Sequence, residues 1–94
     1  MEVVVVVPGA LRQYTDGASQ VAVDVPADAT IGTVLGRLAE QRPVLHRRIQ
    51  DEAGRLRRHV NVFVGDRNIR DAQLLETKLA SGDEVTILPA VSGG

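Results

Sequence analysis

The sequence predicts an α+β domain in which one mixed sheet of four to five strands wraps around a single main helix. Three observations predict it. The chain opens and closes on its most apolar, β-branched runs, "EVVVVVP" at 2–8 and "EVTILPAV" at 84–91. Between them lies one stretch with a clear helical period. Short alternating runs, marked off by Asp16-Gly17 and Gly65-Asp66, stand on either side of that stretch.

Five consecutive valines are poor in a helix and good in a strand, because branching at Cβ restricts the side chain against a helical turn. The run is apolar on both faces, so its predicted place is inside the sheet. Pro8-Gly9 ends it. "ALRQYTDG" reads as a loop or a short turn of helix. "SQVAVDVP" alternates, with Val21, Val23 and Val25 on one face, and the simplest pairing is an antiparallel hairpin with the first strand. In "DATIGTVLGRLAEQRP", Thr30 is the candidate N-cap and Pro43 the stop. Ile31, Val34, Leu35 and Leu38 recur at helical spacing and form one apolar stripe. Gly32 and Gly36 each cost such a helix about 1 kcal/mol relative to alanine. Gly36 is expected to serve close approach to the sheet. "VLHRRIQDEAGRLRR" reads as a short second helix and a turn at Gly54. "HVNVFVGD" is a strand, "RNIR" a short edge strand, "LLETKLASGD" a compact turn of helix ending at Gly82, and "EVTILPAV" the last strand.

The resulting order, β-β-α-β-(β)-β, leaves the helix stripe only the sheet to pack on. A mixed sheet around one helix is the β-grasp arrangement, with the first and last strands parallel neighbours at its centre. Residues 1–90 are expected to form this domain and residues 91–94 a flexible tail.

Composition excludes several functions. Ninety-four residues suggest one domain with a modest core. Apolar residues are 44% and charged residues 24%, ordinary for a soluble globular chain. A net charge of −1 gives no global field for nucleic acid or an anionic membrane. One Tyr, one Phe and no Trp leave little on which bases could stack. No apolar stretch approaches the ~20 residues of a bilayer span. The N-terminus lacks the basic region of a signal peptide, so a cytoplasmic location is expected. The chain has no cysteine, and His46 and His59 are thirteen positions apart, so no metal site is expected. Phosphate-loop and dinucleotide fingerprints are absent.

The strand order, "HVNVFVGDRNIR" and above all "GDEVTILPAVSGG" resemble the ubiquitin-like sulfur carriers of the MoaD/ThiS family over essentially the whole chain. The extended "RPVLHRRIQDEAGRLRRHV" link is most similar to the carriers of the thiocarboxylate-dependent cysteine pathway. The resemblance implies a carrier and co-substrate rather than an enzyme. It assigns no catalytic residue. Gly94 is the implied site of adenylation and thiocarboxylation. Its carboxylate attacks the α-phosphate of ATP on a partner, and sulfur then displaces AMP to leave –COSH. No cofactor is bound by the carrier; ATP is used by the activating partner. The implied partners are an E1-like adenylyltransferase/sulfurtransferase and a sulfur-accepting enzyme. The acceptor is a PLP-dependent cysteine synthase or a thiosugar synthase, and a zinc metallopeptidase is a third implied partner.

The residues at the end of the chain suit such a role. A free α-carboxyl is ionised at neutral pH and unreactive without activation. Six extended residues span at most ~20 Å. Ser92, Gly93 and Gly94 are slim enough for a narrow channel, and glycine adopts backbone angles other residues resist. Pro89 cannot donate to a sheet ladder and is expected to end the last strand, with Ala90 and Val91 leading into the tail. Alternation places Val60, Val62 and Val64 on one face of their strand and Phe63 on the other, and separates Val85 and Ile87 from Leu88. If the valine faces cover the helix, Phe63 and Leu88 stand on the open side of the sheet, a candidate docking surface together with Pro89, Ala90 and Val91. The alternative is that the long link folds over that side. Arg47, Arg48, Arg55, Arg57 and Arg58, interrupted by Asp51 and Glu52, read either as a solvated link or as a rim contact with an acidic partner. His59 and Tyr14 read as structural. Two other functions fit the same residues: a molybdopterin synthase small subunit, and, from a different class, a protein modifier or a β-grasp binding module without terminal chemistry.

Overall fold

The computed structural model describes residues 1–89. Strand β1 (Glu2–Val6) leads through a 3₁₀ turn (Gly9–Tyr14) to β2 (Gln20–Asp24). Helix α1 (Ile31–Gln41) follows, then α2 (Pro43–Ile49), β3 (Val60–Val64), the two-residue β4 (Arg67–Asn68) and β5 (Glu84–Pro89). The sheet order is β2-β1-β5-β3-β4. β1 and β5 pair in parallel inside the sheet, with Val5 opposite Val85, and the remaining pairs are antiparallel. The two most apolar runs are therefore adjacent, as the β-grasp expectation requires.

One face of every long strand enters the core: Val3 and Val5, Val21 and Val23, Val60 and Val62, Val85 and Ile87. All four residues of the predicted helix stripe are fully buried. Thr30 caps α1. Its hydroxyl accepts the Thr33 amide at 3.3 Å, and the Thr33 hydroxyl accepts the Thr30 amide at 3.1 Å, so two otherwise unpaired N–H groups are met reciprocally.

Four details differ from the sequence reading. Pro43 ends α1 but also opens α2 at its first position, where a missing N–H costs nothing. Arg42 sits between the helices with φ −139°, in keeping with the restriction a proline puts on its predecessor. "RNIR" divides into β4 and a 3₁₀ turn at Ile69–Asp71. "LLETKLASGD" contains only a 3₁₀ turn at Leu74–Glu76, after which Thr77 and Leu79 are drawn into the interior. Gly36 meets nothing within 4 Å; the close approach is at Gly32, where a Cβ would lie 3.2 Å from the carbonyl oxygen of Leu75.

Candidate functional site

The open side of the sheet carries the residues that alternation turns away from the core. Phe63 is half-buried, opposite Thr86 on β5 and Asn68 on β4. Leu88, opposite Asn61, is 44% exposed. Val4 and Val6 on β1 and the exposed Ala22 on β2 extend the same side. The two places considered for the link are thereby decided. It packs with α1, burying Leu45 and Ile49 in the core, and it leaves Leu88 uncovered.

Pro89 is the last residue of β5 and is paired opposite Val60, so the strand runs to the residue expected to end it. The predicted Ala90, Val91, Ser92, Gly93 and Gly94 lie outside the described residues. Pro89 borders a hollow of about 250 Å³ that it shares with Leu11, Tyr14, Arg48 and His59. The Arg48 guanidinium lies 5.1 Å from the centre of the Tyr14 ring, a cation–π distance that fixes both side chains. Sequence reasoning did not group these residues. They come from four separate segments, and only the tertiary fold brings them to the end of β5. Tyr14 is a local anchor, as expected. His59 is exposed at the entrance to β3.

The link is built rather than loose. The Arg57 amide donates to the Ile49 carbonyl at 2.9 Å, and Arg57 Nε donates to the Arg47 carbonyl at 2.6 Å. Arg70 Nη2 donates to the carbonyls of Arg57 and Val60 at 2.9 and 2.8 Å, fastening the link to β3. Gln50 is buried and satisfied: its Oε1 accepts from His46 Nε2, and its Nε2 donates to the Gly54 carbonyl at 2.7 Å. Asp51 Oδ1 accepts the amides of Ala53 and Arg55 at 2.9 and 3.0 Å. The Arg55 backbone N–H is the main cause holding the Asp51 carboxyl below its usual value; desolvation opposes it, and the Ala53 N–H and the nearby Arg55 and Arg57 charges add to the lowering. Among the described residues, no group of three or more His, Cys, Asp or Glu side chains could hold a metal ion, and no helix is long and apolar enough to cross a membrane.

The model of the ThiS family matches residues 5–94. The chain belongs to that family. The sulfur carrier protein CysO of Mycobacterium tuberculosis is 41% identical over 96 residues, covering 100% of both chains. Small archaeal modifier protein 1 of Haloferax volcanii is 42% identical over 78 residues, 83% of this chain and 85% of the relative. Among solved structures, the Amycolatopsis orientalis BexX/CysO complex matches with a TM-score of 0.85 and 34% identity over 98% of this chain and 99% of the other. The ubiquitin-like β-grasp expectation and the family resemblance hold. So does the expectation of a small carrier-type protein rather than a catalyst, since this family member aligns end to end with a protein named a sulfur carrier.

Proposed function

We propose that this chain is a sulfur carrier that works through the carbonyl carbon of Gly94. An E1-like adenylyltransferase/sulfurtransferase binds the carrier and ATP. The Gly94 carboxylate attacks the α-phosphorus, pyrophosphate leaves, and an acyl-adenylate forms. Sulfide sulfur from a donor adds to the acyl carbon and AMP departs, so one carboxyl oxygen is exchanged for sulfur. The thiocarboxylate then gives its sulfur to an acceptor enzyme, for cysteine formation or another sulfur-incorporating reaction such as thiosugar synthesis. The open face around Phe63 and Leu88 docks the partner, while Pro89, Ala90 and Val91 lead Ser92, Gly93 and Gly94 into its active site. ATP is bound by the activator and not by this chain.

The observation that carries this reading is the end-to-end match to the sulfur carrier CysO; the Gly93-Gly94 pair that follows β5 in the sequence supports it. The relative solved together with BexX supports a second protein that engages such a carrier, and we take that class of partner to be the sulfur acceptor. The test is intact-mass measurement after incubation with ATP, sulfide and the activator from the same organism. One O-to-S exchange is expected, and none after deletion of Gly94. Unchanged mass with every cognate activator would refute the reading.

The likeness to small archaeal modifier protein 1 favours a second reading, in which the same activated Gly94 is transferred to a lysine ε-amine of another protein. Isopeptide-linked adducts recovered from cells would support it. Their absence, with thiocarboxylate present, would leave the carrier role alone.

A further inference from the structure

We infer that the arginine-rich link is a docking surface for an acidic segment of the protein that receives the tail. This rests on the carrier reading above. Residues 42–59 contain six arginines and two carboxylates, although the whole chain carries −1. Six of the chain's eleven basic residues therefore fall in one short segment that holds only two of its twelve acidic ones. Arg47, Arg48, Arg57 and His59, with Val44 as an apolar wall, surround a concavity of about 320 Å³. Asp51 answers Arg55 at 3.6 Å; among the described residues no carboxylate lies within salt-bridge distance of Arg47, Arg48 or Arg57.

Two features make this more than a solvated loop. Two of the three guanidinium groups are held: Arg48 lies over Tyr14, and Arg57 Nε is tied to the Arg47 carbonyl. Pre-ordered cations lose less freedom on meeting a carboxylate than free ones do. The second feature is position. Arg48 and His59 also line the hollow that Pro89 borders, so the basic concavity adjoins the point where β5 hands over to the tail. A protein that docks beside Pro89 meets this rim, and the chemistry that complements it is a run of Asp or Glu side chains. Such a contact steers encounter and weakens as salt screens it. An acidic protein segment fits better than nucleic acid, because among the described residues Tyr14 is the one Phe, Tyr or Trp side chain lining the hollow and its ring is already covered by Arg48.

The test has two arms. In the first, the full chain is titrated with a short glutamate-rich peptide while backbone amide shifts are followed. Shifts confined to residues 44–59, lost in Arg47→Glu/Arg48→Glu and reduced by salt, are expected. Shifts spread equally over remote arginines such as Arg37 and Arg67, no shifts at all, or tighter binding of a single-stranded oligonucleotide at the same site would overturn the proposal. In the second arm, kcat/KM for thiocarboxylation by the cognate activator is measured against ionic strength. The double variant is expected to fall about tenfold at low salt with a flatter salt dependence. Arg47→Gln/Arg48→Gln, which puts no negative charge at the end of α2, should fall less but in the same direction. Arg37→Glu, exposed on α1 and outside these hollows, should match wild type. Equal kcat/KM and equal salt slopes for all four proteins would overturn the docking surface. A wild-type chain that gains no sulfur would instead sink the carrier reading, and the peptide arm would still decide the surface.

Discussion

Replacing each α1 glycine by alanine should give opposite results four residues apart. Gly36 is exposed in the middle of the eleven-residue helix and a Cβ there meets nothing within 4 Å. Alanine at such a site restricts the unfolded chain and restores helix propensity, together about 0.8–1 kcal/mol. For a domain of this size that raises Tm by about 3–8 °C and, with a urea m-value of about 1 kcal/mol/M, moves the midpoint up by about 0.8–1 M. Gly32 has the same chemistry and a different neighbour. Its new Cβ would sit 3.2 Å from the Leu75 backbone oxygen, 3.5 Å from Thr30 Oγ1 and 3.7 Å from Leu75 Cβ. Leu75 cannot retreat freely. Its 3₁₀ turn is closed by the Glu76 amide on the Gln73 carbonyl at 3.0 Å, and the turn is joined to α1 by the Ile31 amide on the Thr77 carbonyl at 2.9 Å. Overpacking against fixed backbone costs about 1–3 kcal/mol, which cancels or exceeds the propensity gain. Gly32→Ala should therefore be at least about 1 kcal/mol less stable than Gly36→Ala. Urea unfolding followed by circular dichroism measures both. Equal midpoints, or a Gly36→Ala variant less stable than wild type, would show that the helix environment has been misread.

Further predictions concern the open face and the link. Burying a leucine side chain fully is worth about 1.5–3 kcal/mol. With 44% of Leu88 still exposed, docking has about 0.7–1.3 kcal/mol left to gain from it. Leu88→Ala should weaken activator binding about three- to ninefold in a titration, whereas Leu74→Ala, 47% exposed but off the sheet, should not. Indistinguishable Kd values would remove Leu88 from the interface. Asp51 has a lowered carboxyl pKa in the folded chain, so its contribution is complete above the ordinary aspartate value and is lost as pH falls through the lowered one. Hydrogen exchange at the Ala53 and Arg55 amides, corrected for intrinsic rate, should be slow at about pH 7 and speed up below about pH 4. Asp51→Asn should show the faster exchange at both pH values; protection that is insensitive to pH would contradict the assignment.

What the sequence by itself determined is whatever a short window encodes. The i, i+3, i+4, i+7 stripe of α1, the Thr30 cap, the inward valines of four strands and the outward Phe63 and Leu88 all follow from local period and local hydrogen bonding. Each of them is where that period puts it. The parallel pairing of β1 with β5 was expected from the β-grasp arrangement that the strand order suggested, and the apolar character of both runs agreed with it. Only the tertiary structure decided which glycine of α1 lies against a neighbour, since Leu75 is over forty residues from Gly32. The gathering of Tyr14, Arg48, His59 and Pro89 at one end of the sheet was equally invisible. Their proximity arises from chain segments packed across long loops, and no repeat, spacing or propensity along the chain records which distant side chains a fold will bring face to face.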